Sequence, residues 1–236
     1  MTNKVKGTCV PVEYLVLGML ENNVYIISDG KATIVVDPTC KPDEIIKAAG
    51  GSVDAIILTH RHSDHVGAAK ELRDKTGATV IASAIDAPII SGEKKLPRDD
   101  MRFTPCPVDH VVNDGDILKI GDMPWKVILT PGHTEGGICL FIDPRFGTNP
   151  EGAPVLISGD TLFCGSIGRT DFQGGDMNAM RRSLKRLAVL PDETVVLPGH
   201  NSTTKIGTNA KGCSLTTRRG SRLTLRRRIA RSVPSG

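Results

Sequence analysis

The stretch that decides the fold runs Asp54-Ala-Ile-Ile-Leu-Thr59-His60-Arg61-His62-Ser-Asp64-His65-Val-Gly67. Ala55 to Leu58 is a short apolar run of the kind that forms a buried strand. The chain leaves it through three histidines and one aspartate within six positions. In an extended segment successive side chains alternate sides, so His60, His62 and Asp64 are expected to project together. His65 is expected to open a helix that runs to about Lys75 and is closed by Gly77. Two groups of donors thereby lie side by side, His60 with His62 and Asp64 with His65. Imidazole and carboxylate suit zinc, iron or manganese, and no cysteine or methionine joins them to suggest a softer site. The plainer alternative is a solvated loop of surface histidines. Against it, the chain has six histidines and three of them fall here.

Outward from this stretch the same plan recurs. Lys126-Val-Ile-Leu-Thr-Pro-Gly ends in His133, Val155-Leu-Ile-Ser-Gly ends in Asp160, and Val195-Val-Leu-Pro-Gly ends in His200. Each is an apolar run, a few small or turn residues, then a potential ligand. The glycine in front of each ligand lets the backbone turn sharply at that point. Strands sharing one rim would bring all seven side chains into one pocket. Taken singly, His133 or His200 would read as a structural histidine; the repetition is what argues for metal.

The remaining pattern is that of two β-rich halves with helices between strands. Strands are expected over 10–20, 23–28 and 32–36, the last two joined by the hairpin turn Asp29-Gly30. Pro42 to Ala49 reads as a helix, with proline at its start, Asp43 and Glu44 in its first turn and Gly50-Gly51 as its stop. A strand at 79–82 and a helical piece at 85–91 follow, then a polar loop over 92–107. A meander over 108–112, 117–120 and 125–130 leads to strands at 137–142 and 155–158. Asn178 to Leu187 is an amphipathic helix with Met180, Leu184 and Leu187 on its apolar side, and 194–197 is the last strand.

Composition narrows the function classes. A chain of 236 residues can bury one large core. Aromatics at 3% leave too few rings for a base-stacking surface. No apolar run reaches membrane-spanning length, and the first residues carry no signal-peptide pattern, so a cytoplasmic protein with no membrane partner is expected. The six cysteines form no CxxC pair and are read as reduced thiols. Cys164, close to Asp160, is expected to be a small buried residue without a role. The net charge of +4 comes from the C-terminal end: from Asn201 onward there are nine basic residues and no acid, so the rest of the chain is net acidic. A nucleic-acid partner would rest on that end alone and is not expected. Residues 1–206 are expected to form one catalytic domain, and 207–236 a basic low-complexity tail without fixed structure.

The segments Thr59-His60-Arg61-His62-Ser63-Asp64-His65, Gly132-His133-Thr134, Gly159-Asp160-Thr161 and Gly199-His200 resemble the metallo-β-lactamase superfamily. The resemblance covers about residues 10–200. It implies an α/β (α+β) fold, the four-layer αββα sandwich in which two sheets face each other and helices cover both outer faces. It also implies two divalent metal ions, zinc first, with iron or manganese also accommodated. His60, His62 and His133 would hold one, Asp64, His65 and His200 the other, and Asp160 would bridge them.

Within the superfamily, the run Gly159-Asp160-Thr-Leu-Phe-Cys-Gly-Ser-Ile-Gly168-Arg169-Thr170-Asp171 is similar to small glyoxalase II-type (hydroxyacylglutathione hydrolase-like) enzymes. That likeness implies a thioesterase cleaving S-acyl glutathione or a related small-molecule thioester with a metal-bridging hydroxide. Asp64 would relay a proton besides binding metal. Arg169 would contact substrate or serve in an ion pair. Asp37 and Thr59 are expected behind the ligating histidines, although Asp37 also reads as an ordinary strand-end turn residue. The helical C-terminal domain that contacts glutathione in larger enzymes has no counterpart here, which leaves the thiol carrier open. The alternatives are a mononuclear iron persulfide dioxygenase, a lactonase, phosphodiesterase or nuclease on the same scaffold, and a non-catalytic metal-binding protein. A flavodiiron oxygen reductase is disfavoured because His62 stands where that group has glutamate. The sequence is silent on oligomeric state.

Overall fold

The computed structural model of the chain describes residues 2–96, 103–212, 215–216 and 222–223. The first half builds a seven-stranded sheet from β1 (Asn3–Val5), β2 (Val12–Leu17), β3 (Asn22–Ser28), β4 (Thr33–Val36), β5 (Ala55–Ile57), β6 (Thr79–Ser83) and β7 (His110–Val112), in that order across the sheet. β1 to β4 pair antiparallel and β4 to β7 pair parallel. The parallel part needs crossovers. They are supplied by α1 (Pro42–Ala48) between β4 and β5, by α2 (Ser63–Val66) and α3 (Ala69–Thr76) between β5 and β6, and by α4 (Ala87–Ile90) before β7. The second half builds a six-stranded sheet from β8 (Ile117–Ile120), β9 (Met123–Leu129), β10 (Ile138–Ile142), β11 (Val155–Gly159), β12 (Val195–Pro198) and β13 (Thr204–Lys205), ordered β13-β12-β11-β10-β9-β8. α5 (Met177–Leu187) crosses from β11 to its parallel partner β12.

The period-2 alternation of the strands assigns each face to one interface. Tyr25 and Ile27, Ile34 and Val36, and Ile57 meet Trp125, Val127, Leu140, Ile157 and Leu197 in the core between the sheets. The intervening residues Ile26, Val35 and Ile56 face outward, against Ile45 of α1, Val66 of α2, Leu72 of α3 and Ile90 of α4. On the other side, Ile128, Leu156 and Val196 pack under Met180, Leu184 and Leu187 of α5. Three apolar interfaces between four layers give the αββα sandwich. Each fully buried Ile, Leu or Val in them contributes roughly 1.5–3 kcal/mol.

Several boundaries differ from the sequence expectation, each for a local reason. The helix expected from His65 to Lys75 is two helices. Ala68 donates its N–H to Pro38 O at 2.8 Å, outside any helical ladder. A Cβ on Gly67 would lie 2.3 Å from Thr39 O, so only glycine lets the two backbones touch there. The strand expected over 10–20 stops at Leu17, where Gly18 takes φ +76° and opens a turn. Edge strands β1 and β13 were not anticipated, being too short and polar to show a pattern. The expected tail falls mostly outside the described residues. Within it the structure describes α6 (Ile206–Gly212) and a pairing of Leu215–Thr216 with Arg222–Leu223. Among the described residues no helix is long and apolar enough to cross a membrane.

The topology fixes where the ligand-bearing loops meet. β10 is antiparallel to both β9 and β11, and β12 is parallel to β11, so β9, β11 and β12 all end on one rim. β4 and β5 of the other sheet end on the same rim. Ile138 donates its N–H to Thr59 O at 2.9 Å, and Asn23 donates its N–H to Gly199 O at 2.8 Å, tying the two sheets together there.

Candidate metal centre

The four loops deliver their side chains into one cluster. His60 Nε2 lies 3.1 Å from His62 Nδ1, which lies 2.8 Å from His133 Nε2. Beside this trio, Asp64 Oδ2 is 3.4 Å from His65 Nε2 and 3.3 Å from His200 Nε2. Asp160 stands between the two groups. Its Oδ2 is 3.4 Å from His133 Nε2 and 3.6 Å from His200 Nε2, and its Oδ1 is 3.4 Å from His65 Nε2. The structure thus brings together all seven residues that the sequence singled out. One expectation about how they get there needs correcting. Asp64 does not share an extended segment with His60 and His62; it lies with His65 in the first turn of α2, for which His62 is the N-cap.

The surroundings decide which ring nitrogen faces inward. His65 donates its Nδ1–H to Asp37 Oδ2 at 2.8 Å, His133 to Arg169 O at 2.7 Å, and His200 to Leu20 O at 2.9 Å. Thr59 donates its hydroxyl to Asp37 Oδ2 at 2.6 Å, so at 3.1 Å its oxygen is free to accept from His60 Nδ1. Each of these four rings therefore turns its Nε2 towards the cluster. Ligating histidines are held in this way by an acceptor on their other nitrogen. Asp37 is therefore more than a turn residue. Its Oδ1 also accepts the Thr59 N–H at 2.8 Å, and its backbone takes the left-handed φ of +52° that brings both oxygens to bear.

Such a cluster of lone pairs and carboxylates suits cations. Asp160 Oδ1 is buried and has no hydrogen-bond partner. Ligands about 2.0–2.1 Å from a tetrahedral zinc stand roughly 3.3–3.4 Å from one another; Asp64 Oδ2 stands at that separation from both His65 and His200. The charge environment divides the site. Burial, with neighbouring histidines, pushes His62 down to about 3 and His60 well below the usual imidazole range, and burial lowers His133 as well. For His65, burial opposes protonation, but Asp160 and Asp37 outweigh it and hold the ring well above its ordinary value. For Asp64, burial favours the neutral acid, but His200 and His65 override it and keep the carboxylate ionised. One half of the cluster is therefore a set of neutral imidazoles; in the other, carboxylates raise the basicity of the rings, His200 included, where burial is outweighed by Asp64 and Asp160.

Arg61, between two of the histidines, has a part in holding the site that the sequence reading missed. Its side chain leaves on the opposite side from theirs and is 1% exposed. It donates to Asp86 Oδ1 at 2.9 Å and to Gln173 O at 2.9 Å, and pairs with Glu135 Oε2 at 2.7 Å. Asp86 also accepts the Arg61 N–H at 3.1 Å and the Thr134 hydroxyl at 3.2 Å. One guanidinium thus joins the loop after β5, the loop after β9 and the segment near 173. Arg169 lies at the cleft wall, paired with Asp171 at 2.7 Å and stacked 3.6 Å from the Phe172 ring centre. Of its two expected roles, the ion pair is present. Cys164 is exposed, not buried as expected. The cleft over the cluster has a volume of about 800 Å³, with Leu20, Phe163, Ile167 and Phe172 as apolar walls.

The sequence profile of the Metallo-beta-lactamase superfamily matches residues 17–200, which include every residue of the cluster. The chain belongs to the metallo-β-lactamase superfamily. Among its relatives in that superfamily, an uncharacterised protein of Aquifex aeolicus is 34% identical over 83% of this chain and 92% of its own. A hydroxyacylglutathione hydrolase of Cereibacter sphaeroides is 33% identical over 81% of this chain and 67% of its own. The hydroxyacylglutathione hydrolase GloC of Haemophilus influenzae is 30% identical over 83% and 93%. Among solved structures, the B3 metallo-beta-lactamase BLEG-1 superposes with a TM-score of 0.72 at 31% identity, covering 85% of this chain and 96% of that one. TTHA1623 in a di-iron-bound form superposes with a TM-score of 0.66 at 32% identity, covering 84% and 97%.

Proposed function

We propose that this superfamily member is a metal-dependent thioesterase of the glyoxalase II type, acting on S-hydroxyacyl glutathione or a closely similar thioester. The observation that carries the proposal is the Asp160 carboxylate, which reaches His133 on one side and His65 on the other. That arrangement fits two cations sharing one carboxylate, the first with His60, His62 and His133, the second with Asp64, His65 and His200. Two divalent cations held there would acidify a shared water towards neutral pH and polarise the acyl carbonyl oxygen. Zinc suits the nitrogen-rich first group; the di-iron form of TTHA1623 makes iron an equal candidate for the pair.

The chain's own residues do the rest. Asp37, Thr59, Arg169 O and Leu20 O fix the four rings, so no ligand has to reorient during turnover. Asp64, 24% exposed at the cleft floor, is placed to accept a proton from the attacking water. The cleft lies within the usual 300–1,000 Å³ range of small-molecule sites. Its apolar walls suit the acyl and thiol arms of a thioester and keep bulk water from the scissile bond. The two relatives named hydroxyacylglutathione hydrolases support the thioester class. A reducing cytoplasmic setting is part of this reading, in keeping with the free thiols of Cys9, Cys40, Cys106, Cys139 and Cys164.

The test is a substrate panel on the purified protein, run as isolated, after chelation, and after reloading with zinc, iron or manganese. S-lactoylglutathione, a lactone, a phosphodiester and a β-lactam are compared, with oxygen uptake followed in the presence of glutathione persulfide. Thioester hydrolysis that disappears on chelation and returns on reloading is expected. Oxygen consumption, or turnover of another class with inert thioesters, would replace this reading.

A further inference from the structure

Asn22 opens β3 and is 1% exposed, yet its side chain lies at the second group of the cluster. Its Nδ2 donates to Asp64 Oδ2 at 2.9 Å and lies 3.4 Å from Nε2 of both His65 and His200. With the 3.3–3.4 Å separations from Asp64 to those rings, the amide occupies a corner of the same group, beside the one that Asp160 takes. Donors bound to one ion through bonds of 2.0–2.1 Å stand roughly 2.9–3.4 Å apart, depending on their number. The terminal atom of Asn22 therefore stands where a further ligand would stand. Its other polar atom, Oδ1, is buried without a partner.

The backbone gives this side chain little freedom to leave. Asn22 pairs with His200 in an isolated antiparallel bridge. Next to it, Asn23 donates its N–H to Gly199 O at 2.8 Å and its Nδ2 to Pro198 O and Asn201 O at 2.9 and 2.8 Å. A half-turn about the last torsion alone exchanges nitrogen for oxygen at the corner. The charge at the corner's centre decides which atom faces inward. Carboxylate and bare lone pairs favour the N–H group; a divalent cation reverses the preference, because an amide oxygen can donate electrons to it and the amide nitrogen cannot.

We propose that Asn22 is a ligand of the second cation, through Oδ1. With Asp64, His65, His200 and the bridging Asp160, it makes a set of five donors, three of them oxygen. This set is harder than the first group and suits a coordination number above four. The proposal rests on the two-cation reading above.

The experiment is competition with a chromophoric chelator for Zn²⁺ and Co²⁺ on the full chain, for wild type, Asn22→Ala and Asn22→Asp. The visible spectrum of the Co²⁺ forms is recorded alongside. Asn22→Ala is expected to keep the first cation and to bind the second at least roughly tenfold more weakly. Asn22→Asp keeps an oxygen at the corner and is expected to restore second-site binding and its Co²⁺ spectrum. If Asn22 only donates a hydrogen bond to Asp64, no donor is lost in Asn22→Ala and its second-site Co²⁺ spectrum stays that of wild type; that result, or unchanged binding in Asn22→Ala, overturns the proposal. Should Asn22→Ala fail to fold, Asn22→Ser takes its place in the same comparison, a changed Co²⁺ spectrum with weaker second-site binding in favour and an unchanged spectrum against. A wild type that takes up fewer than two cations removes the two-cation reading itself, a result distinct from the failure of Asn22 alone.

Discussion

Asp37 accepts the Nδ1–H of His65 at 2.8 Å from a backbone held at φ +52°. The same carboxylate accepts the N–H and hydroxyl of Thr59, which in turn serves His60. One residue thus orients a ring in each half of the cluster. Removing such a partner typically costs 10–100-fold in metal affinity. Asp37→Asn tolerates the left-handed backbone and is expected to fold normally while binding metal at least about tenfold more weakly. Asp37→Ala should lose more, since it also strains the backbone by about 1–2 kcal/mol. Chelator competition and urea unfolding of the metal-free proteins separate the two effects.

Arg61 and Asp86 are both 1% exposed and are paired at 2.9 Å. Taking away one member of a buried pair costs about 3–5 kcal/mol, because the other charge is left behind. Arg61→Met is expected to lose that much in urea unfolding. Arg61→Lys should fall between it and wild type, because lysine keeps the charge but lacks the fork that reaches Asp86 and Gln173 O together.

Asp160 touches both groups of the cluster, so its loss cannot be confined to one cation. Asp160→Ala is expected to retain at most one cation per chain by elemental analysis. Its thioester hydrolysis should fall by more than about a hundredfold. Full hydrolysis by protein stripped of metal would end the proposed mechanism.

Gly159 precedes that aspartate with φ +46°, and a Cβ there would lie 2.5 Å from Thr59 Oγ1. Gly159→Ala is expected to destabilise the fold by more than about 1 kcal/mol. It should also weaken metal binding, because the displaced atom is the one that His60 leans on. Thermal unfolding with and without added metal measures both.

The basic C-terminal end is separable by charge from the acidic remainder. Deleting 213–236 is expected to leave metal content and hydrolysis unchanged. Any retention on a nucleic-acid column should vanish with it. Retention by the shortened chain would reopen a nucleic-acid substrate.

The part of the site that was legible in the sequence is the part written as strand-then-ligand. His133, Asp160 and His200 each follow an apolar run and a glycine, so local pattern and function coincide there. The sandwich was legible only through the family resemblance those loops carry; runs such as Tyr25 to Ile27 and Ile34 to Val36 are apolar without alternation because both of their faces are buried. The break in the helix after Val66 was not legible, because it depends on Pro38 and Thr39 arriving from another loop. The roles of Asn22, Asp86 and Arg61 escaped for a related reason. Each is defined by partners distant in the chain, 42 residues away for Asn22 and Asp64 and 25 for Arg61 and Asp86. An isolated asparagine or arginine carries no spacing signal. Arg61 offered one weak clue, its place on the off-beat between two histidines, where a side chain must enter the opposite layer.

Both halves of the sandwich contribute to each donor group. His60 and His62 come from the first sheet and His133 from the second; Asp64 and His65 come from the first and His200 from the second. Neither half owns either of the two donor groups complete, so a half-folded chain would offer a cation only part of each. Full loading would have to wait until the halves have docked, and ions held there would act as rivets across the seam. The protein's resistance to heat should accordingly track the free metal concentration, rising by about 2.7 kcal/mol at a hundredfold excess over the dissociation constant.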